Sequence, residues 1–151
     1  MSNQTPGGNA DMKNWQKEAL FVLDKQAEDD RILCREDDKD HSLRAEHDQF
    51  VKQWGFSYND IWDLDDAIAM FILPRLAYFR ENSCTVPMVT PPGGGEPEGM
   101  DDLEWCRILD MICDGLHLYL EKGFQFFTEE EEKLWKEAKQ ALFDYFEVLW
   151  N

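Results

Sequence analysis

Hydrophobic positions are densest between Trp62 and Arg80, WDLDDAIAMFILPRLAYFR, where Ala67 to Pro74 forms eight consecutive residues without a charge or a hydrogen-bonding side chain. At about 100° per residue, Leu64, Ile68, Phe71, Ile72, Leu73, Leu76 and Phe79 nearly encircle a helix axis instead of forming one stripe. A helix that is apolar all round is buried all round, so this segment is expected to be the central helix, with the others packed around it. Pro74 removes a backbone donor inside the pattern and frees the Met70 carbonyl, which predicts a kink.

On either side the apolar spacing is helical and one-faced. Met12, Trp15, Ala19, Val22 and Leu23 predict a first helix over about 12–24. The charged run AEDDRILCREDDKDH follows and reads as a solvated helix or linker. Leu43, His47, Phe50, Val51 and Trp54 share a second face, opened by Ser42 as a cap and stopped by Gly55. Asp63 is a predicted N-cap for the central helix, with Asp65 and Asp66 placed against its positive dipole end. A long helix over about 101–122 presents Trp105, Ile108, Leu109, Ile112, Leu116, Tyr119 and Leu120 on a wide face, and Gly123 ends it. Thr128 and Glu131 form a capping box for a last helix over about 129–149. On that helix Leu134, Trp135, Ala138, Ala141, Leu142, Tyr145, Phe146 and Leu149 face inward. No alternating β pattern, hairpin signal or repeat interrupts the series.

These elements predict an all-α fold: a single-domain helical bundle of about four to five helices around a kinked central one. Residues 1–11 read as a flexible tail, 12–54 as an acidic helical arm and 55–151 as the core domain. The segment 82–100 within it is expected to be a Pro/Gly-rich loop, because Glu81 to Met100 holds four of the six prolines and four of the nine glycines.

Composition adds one strong constraint. Fifteen basic against 32 acidic residues give a net charge of −17. The excess runs through residues 1–53 (8 basic, 12 acidic), 54–100 (2 and 7) and 101–151 (5 and 13), so it is not confined to a tail. A surface of this sign repels phosphate backbones, which argues against direct nucleic-acid binding and suits a basic partner protein. No stretch approaches the roughly 18 apolar residues of a membrane span. The start, MSNQTPGGNADMKN, has neither the basic nor the apolar region of a signal peptide. Cys106 and Cys113 lie roughly 10 Å apart along one predicted helix, too far for a disulfide, so reduced thiols and a cytoplasmic setting are expected.

Candidate chemistry is sparse. Cys106, Asp110, Cys113 and His117 line one edge of the long helix, yet a zinc site needs a second short-spaced pair, with Cys34, His41 and His47 the nearest by type. No metal ligand set, cofactor or catalytic residue is therefore assigned. Glu129 to Glu132, or Asp110 with Asp114, would be needed for a magnesium-dependent nucleotide pyrophosphohydrolase of the helical MazG type, but no matching carboxylate motif faces them. The acidic residues from Glu28 to Asp40 allow a DNA-mimic inhibitor as another alternative. A nucleotide-binding sponge would need stacking beside a cation, for which Trp62, Arg75, Trp105 and Arg107 are the candidate pocket. Phe143, Val148 and Trp150 fall off the buried stripe of the last helix and are the candidate partner-binding patch.

The motifs W-x-L-D (Trp62, Leu64, Asp65), I-L-P-R-L (Ile72 to Leu76) and E-W-x-x-I-L-D (Glu104, Trp105, Ile108, Leu109, Asp110), with Ile112 and a terminal Trp150, carry a resemblance. Over roughly 55–151 the chain resembles a family of small uncharacterised helical proteins encoded by tailed bacteriophages and prophages; it departs in Leu103 and in a longer acidic N-terminal arm. The resemblance implies phage origin and a helical fold, and brings no activity. The expected function is that of a non-enzymatic phage accessory protein binding a host protein stoichiometrically, in takeover or counter-defence, within the host cytoplasm.

Overall fold

A computed structural model describes residues 12–33, 42–57, 60–61, 63–83 and 85–149. The fold is all-α. In chain order it contains α1 (Asn14–Leu33), α2 (Ser42–Trp54), α3 (Leu64–Asn82), the strands β1 (Met88–Val89) and β2 (Glu98–Gly99), α4 (Asp102–Lys122) and α5 (Glu129–Asp144). No described helix is long and apolar enough to cross a membrane.

The main helix contacts are α1 with α3, α3 with α4, and α4 with α5. Specific contacts fix their directions. Tyr119 donates to Asp65 at one end of the α3–α4 pair, and Arg80 clasps Asp110 through two bonds of 2.7 and 3.0 Å toward the other, so the two helices are antiparallel. Tyr119 stacks on Trp135 and Trp105 meets Tyr145 edge-on, which makes α4 and α5 antiparallel too. It follows that α3 and α5 run in the same direction. Helix α1 lies across the other side: Trp15 packs on Tyr78, Phe21 stacks on His117, and Val22 joins the buried core.

The hub is α4, not α3. Eight α4 residues are buried, among them Leu109, Ile112 and Gly115. Gly115 lets α5 come close, since a Cβ there would stand 2.3 Å from the Ala138 Cβ. Helix α3 buries Ala69, Met70, Leu73, Leu76 and Ala77 on one side only. On its other side Leu64 is 57% exposed, Ile68 50% and Phe71 61%, so the expectation of burial all round is corrected. Among the described residues only two helices pack closely on it, α4 beside α3 and α1 behind it, and they do not reach the outer stripe.

Other boundaries move for local reasons. Helix α1 continues past the predicted stop at 24 to Leu33 because no glycine or proline interrupts AEDDRIL. Asp101 caps α4, accepting from the Leu103 and Glu104 amides. Gly123, at φ +76°, stops α4 and returns its amide to the Tyr119 carbonyl. The Thr128–Glu131 capping box is formed in both directions. Helix α5 ends at Asp144, before the expected 149, and a 3₁₀ turn over Phe146–Val148 redirects the chain. The loop after α3 is anchored by a small antiparallel ladder pairing Met88 with Gly99 and Val89 with Glu98, where no hairpin was expected. Pro87 and Met100 are buried at its base.

Candidate apolar groove

Parallel helices α3 and α5 stand apart above α4, and the slot between them is a groove of about 550 Å³. Ile68, Ala69 and Ile72 from α3 form one wall, and Trp135, Leu142 and Phe143 from α5 the other. Leu116 and Tyr119 of α4 make the floor, and Phe124 and Phe127 close one end. The apolar walls follow from the sequence pattern. Helix α3 carries more hydrophobic surface than its neighbours cover, and the exposed stripe Leu64–Ile68–Phe71 extends that surface outward from the groove.

Polar groups in the groove are few and engaged. The Tyr119 hydroxyl donates to the Asp65 carboxylate, which holds Asp65 below the usual carboxylate range. Burial, reinforced by Asp65, raises the Tyr119 phenol. The Tyr119 ring stacks on Trp135 at 4.5 Å and 15°. Lys139 lies 5.1 Å over the Trp135 ring, and Lys136 pairs with Glu132 at 2.7 Å. At the Tyr119 end the groove shares Asp65, Tyr119 and Phe124 with a second pocket of about 350 Å³. Asp63, Asp66, Glu121, Lys25 and Lys122 also line that pocket, and Lys122 is held by Glu131 at 2.7 Å.

The residues singled out from sequence are distributed as follows. Phe143 is 75% exposed and forms part of the groove wall. Val148 packs against the core instead, because the chain leaves helical geometry at Tyr145 and the wheel that set Val148 off the stripe no longer applies. Trp150 and Trp62 lie outside the described residues. Among the described residues the other three candidates stand in different surroundings. Trp105 is 3% exposed, packed edge-on against Tyr145, and offers no open face to a stacking ligand. Arg75 is exposed, its guanidinium 3.9 Å over Phe71 and donating to the Phe71 carbonyl within its own helix. Arg107 stands on the exposed strip of α4.

The edge of α4 that carries Cys106, Asp110, Cys113 and His117 is divided among separate partners. Asp110 binds Arg80, and His117 Nδ1 lies 2.7 Å from Glu18. Burial pushes the Cys113 thiol up to about 12, so it is a protonated core side chain at neutral pH. Burial and the neighbouring Asp110 raise the Asp114 carboxyl. Among the described residues, no three His, Cys, Asp or Glu side chains converge as a metal site; Cys34 and His41 lie outside them.

Ile68, Phe124, Lys136 and Lys139 were not singled out from sequence as site residues. The signal for Ile68 was present, because a helix apolar all round needs neighbours all round, and the remaining elements are too few to supply them. None of the protein-family models, curated proteins or solved structures compared with the chain matches it.

Proposed function

We propose that the protein acts by stoichiometric binding to another protein and that the α3–α5 groove is its contact surface. The observation that carries this is the groove's apolar walls, open to solvent and continuous with Leu64, Ile68 and Phe71. Exposing such a surface costs solubility and stability, and covering it on a partner recovers roughly 25 cal/mol per Å². Three of the six carboxylates singled out for metal-dependent hydrolysis are engaged in ion pairs, which supports the same reading. Asp110 is taken by Arg80, Glu131 by Lys122 and Glu132 by Lys136. The resemblance to phage and prophage proteins gives the reading its setting, an accessory protein binding a host protein, defence-related or otherwise, in the host cytoplasm.

The test is capture from bacterial lysate with the tagged full chain and with its Phe143→Asp and Lys133→Glu variants in parallel. Phe143 lies in the groove wall, and Lys133 lies outside it on the same helix. A protein recovered near one-to-one by the native chain and by Lys133→Glu, lost with Phe143→Asp, and rebinding when purified would support the reading. Recovery of the same proteins by all three chains, or by none, would sink it.

A further inference from the structure

We infer that the groove takes one amphipathic helix of the partner, about three turns long, antiparallel to α3 and α5, with lysines or arginines in its last turn. This rests on the binding function proposed above and specifies the occupant. Three observations lead to it.

The first is the kind of wall. Every side of the groove is helix or helix-capping turn, so it presents no strand edge. An extended peptide laid there would bury backbone N–H and C=O groups without a ladder to pair them. A helix arrives with those groups already bonded and needs only apolar side chains to fill the space.

The second is shape. Antiparallel α4 forms a floor beneath two parallel helices, and a fourth helix running with α4 would complete an up-and-down bundle around the slot. From Glu132 to Phe143 the α5 wall runs about 16 Å at 1.5 Å per residue, the length of three helical turns. Anchors at i, i+4 and i+7 on such a helix would meet Leu142, Tyr119 and Phe124 in succession along the wall and floor.

The third is charge. An antiparallel helix ends at the Tyr119 end of the groove, beside Asp63 and Glu121. Of the two lysines there, Lys122 is committed to Glu131. Basic residues in the last turn of the docked helix would meet these carboxylates and also its own negative dipole end. The chain's charge of −17 attracts the same partner from a distance and opposes a second copy in this position.

The probes are three synthetic 14-residue peptides sharing one leucine stripe: one with lysines in the last turn, one with them in the first turn, and one with glutamates in the last turn. Titration into the full chain is followed by calorimetry. The expected result is one-to-one binding of the first peptide, at least about tenfold tighter than the glutamate peptide and tighter than the reversed one. Ile68→Asp and Phe143→Asp, both at exposed positions, should abolish it with the helical circular dichroism unchanged. Asp63→Asn should narrow the lysine–glutamate difference. Equal binding of all three peptides, or binding indifferent to Ile68 and Phe143, overturns the inference. So does a sedimentation mass showing a dimer through this face. If no peptide binds while a lysate partner still depends on Phe143, the helical occupant is wrong and the binding function stands.

Discussion

A Cβ on Gly115 would stand 2.3 Å from the Ala138 Cβ, and neither atom can rotate away, because both are fixed to helical backbone. Gly115→Ala would gain about 1 kcal/mol of helix propensity, but the two helices would have to separate, at a cost of about 1–3 kcal/mol for overpacking. Separation also loosens the Tyr119–Trp135 stack, so the expected net outcome is a lower melting temperature. Adding Ala138→Gly should recover the close approach; if the double variant melts no higher than Gly115→Ala, the contact is not the cause. The hydrogen bond from Tyr119 to Asp65 makes a second, pH-dependent prediction. Asp65 sits below its ordinary 3.8 in the folded chain, chiefly because the phenol donates to it. Its contribution is therefore present above about pH 4 and drains as pH falls through the folded value. Tyr119→Phe should cost about 1 kcal/mol at pH 7, at the low end because Asp65 faces solvent, and the difference should shrink in acid. Urea denaturation at several pH values reads it directly, and a pH-independent difference would assign the loss to packing. Neither pair was legible in the sequence. The spacing put Asp65 at a helix start and Tyr119 on a buried face, but nothing in one dimension brings positions 54 apart into contact.

At the scale of elements, periodicity located the helices and the caps placed their ends where the cap is local. Thr128 with Glu131, and Gly123 after Lys122, were readable because they concern residues within four positions. What periodicity misjudged was α3. All-round apolarity predicts all-round burial, whereas α3 has α1 and α4 against it and an open groove on the remaining side. Within the acidic arm, α1 contributes Val22 to the buried core, with Trp15 and Phe21 packed against it. Helix α1 is held by a few identifiable groups. Its Phe21 stacks on His117 at 4.2 Å, its Glu18 meets the same imidazole at 2.7 Å, and its Trp15 amide donates to Glu81. Glu18 is well covered, and its removal takes the partner from the half-buried His117 Nδ1. Glu18→Ala should therefore cost about 1–2 kcal/mol, felt first by α1. In hydrogen exchange, α1 amides should lose protection while those of α4 around Ile112 keep theirs. Equal loss in both helices would mean that α1 and α4 open as one unit.

Over the whole molecule, charge was fully legible in the sequence and the groove was not, because a groove depends on what other elements leave uncovered. The two meet in one salt-dependence argument. Fifteen basic residues cannot neutralise 32 acidic ones, and several are already consumed locally, as Arg80 is by Asp110, Lys122 by Glu131 and Lys136 by Glu132. The unpaired carboxylates repel one another more when the chain is compact than when it is unfolded, so low salt should destabilise the fold. Raising ionic strength from about 0.02 to about 0.5 M shortens the screening length from roughly 20 Å to under 5 Å, below most surface charge separations. The melting temperature should then rise by several degrees, about what 1 kcal/mol produces in a domain of this size. Binding of a basic helix should move the opposite way, weakening as the same carboxylates are screened, while the apolar share of its affinity persists. Measuring both quantities on one salt series separates the contributions. A rising melting temperature with falling affinity places the acidic surface in the binding step. A rising melting temperature with salt-independent affinity would leave the apolar walls as the whole of the contact and remove the reason for choosing a basic partner.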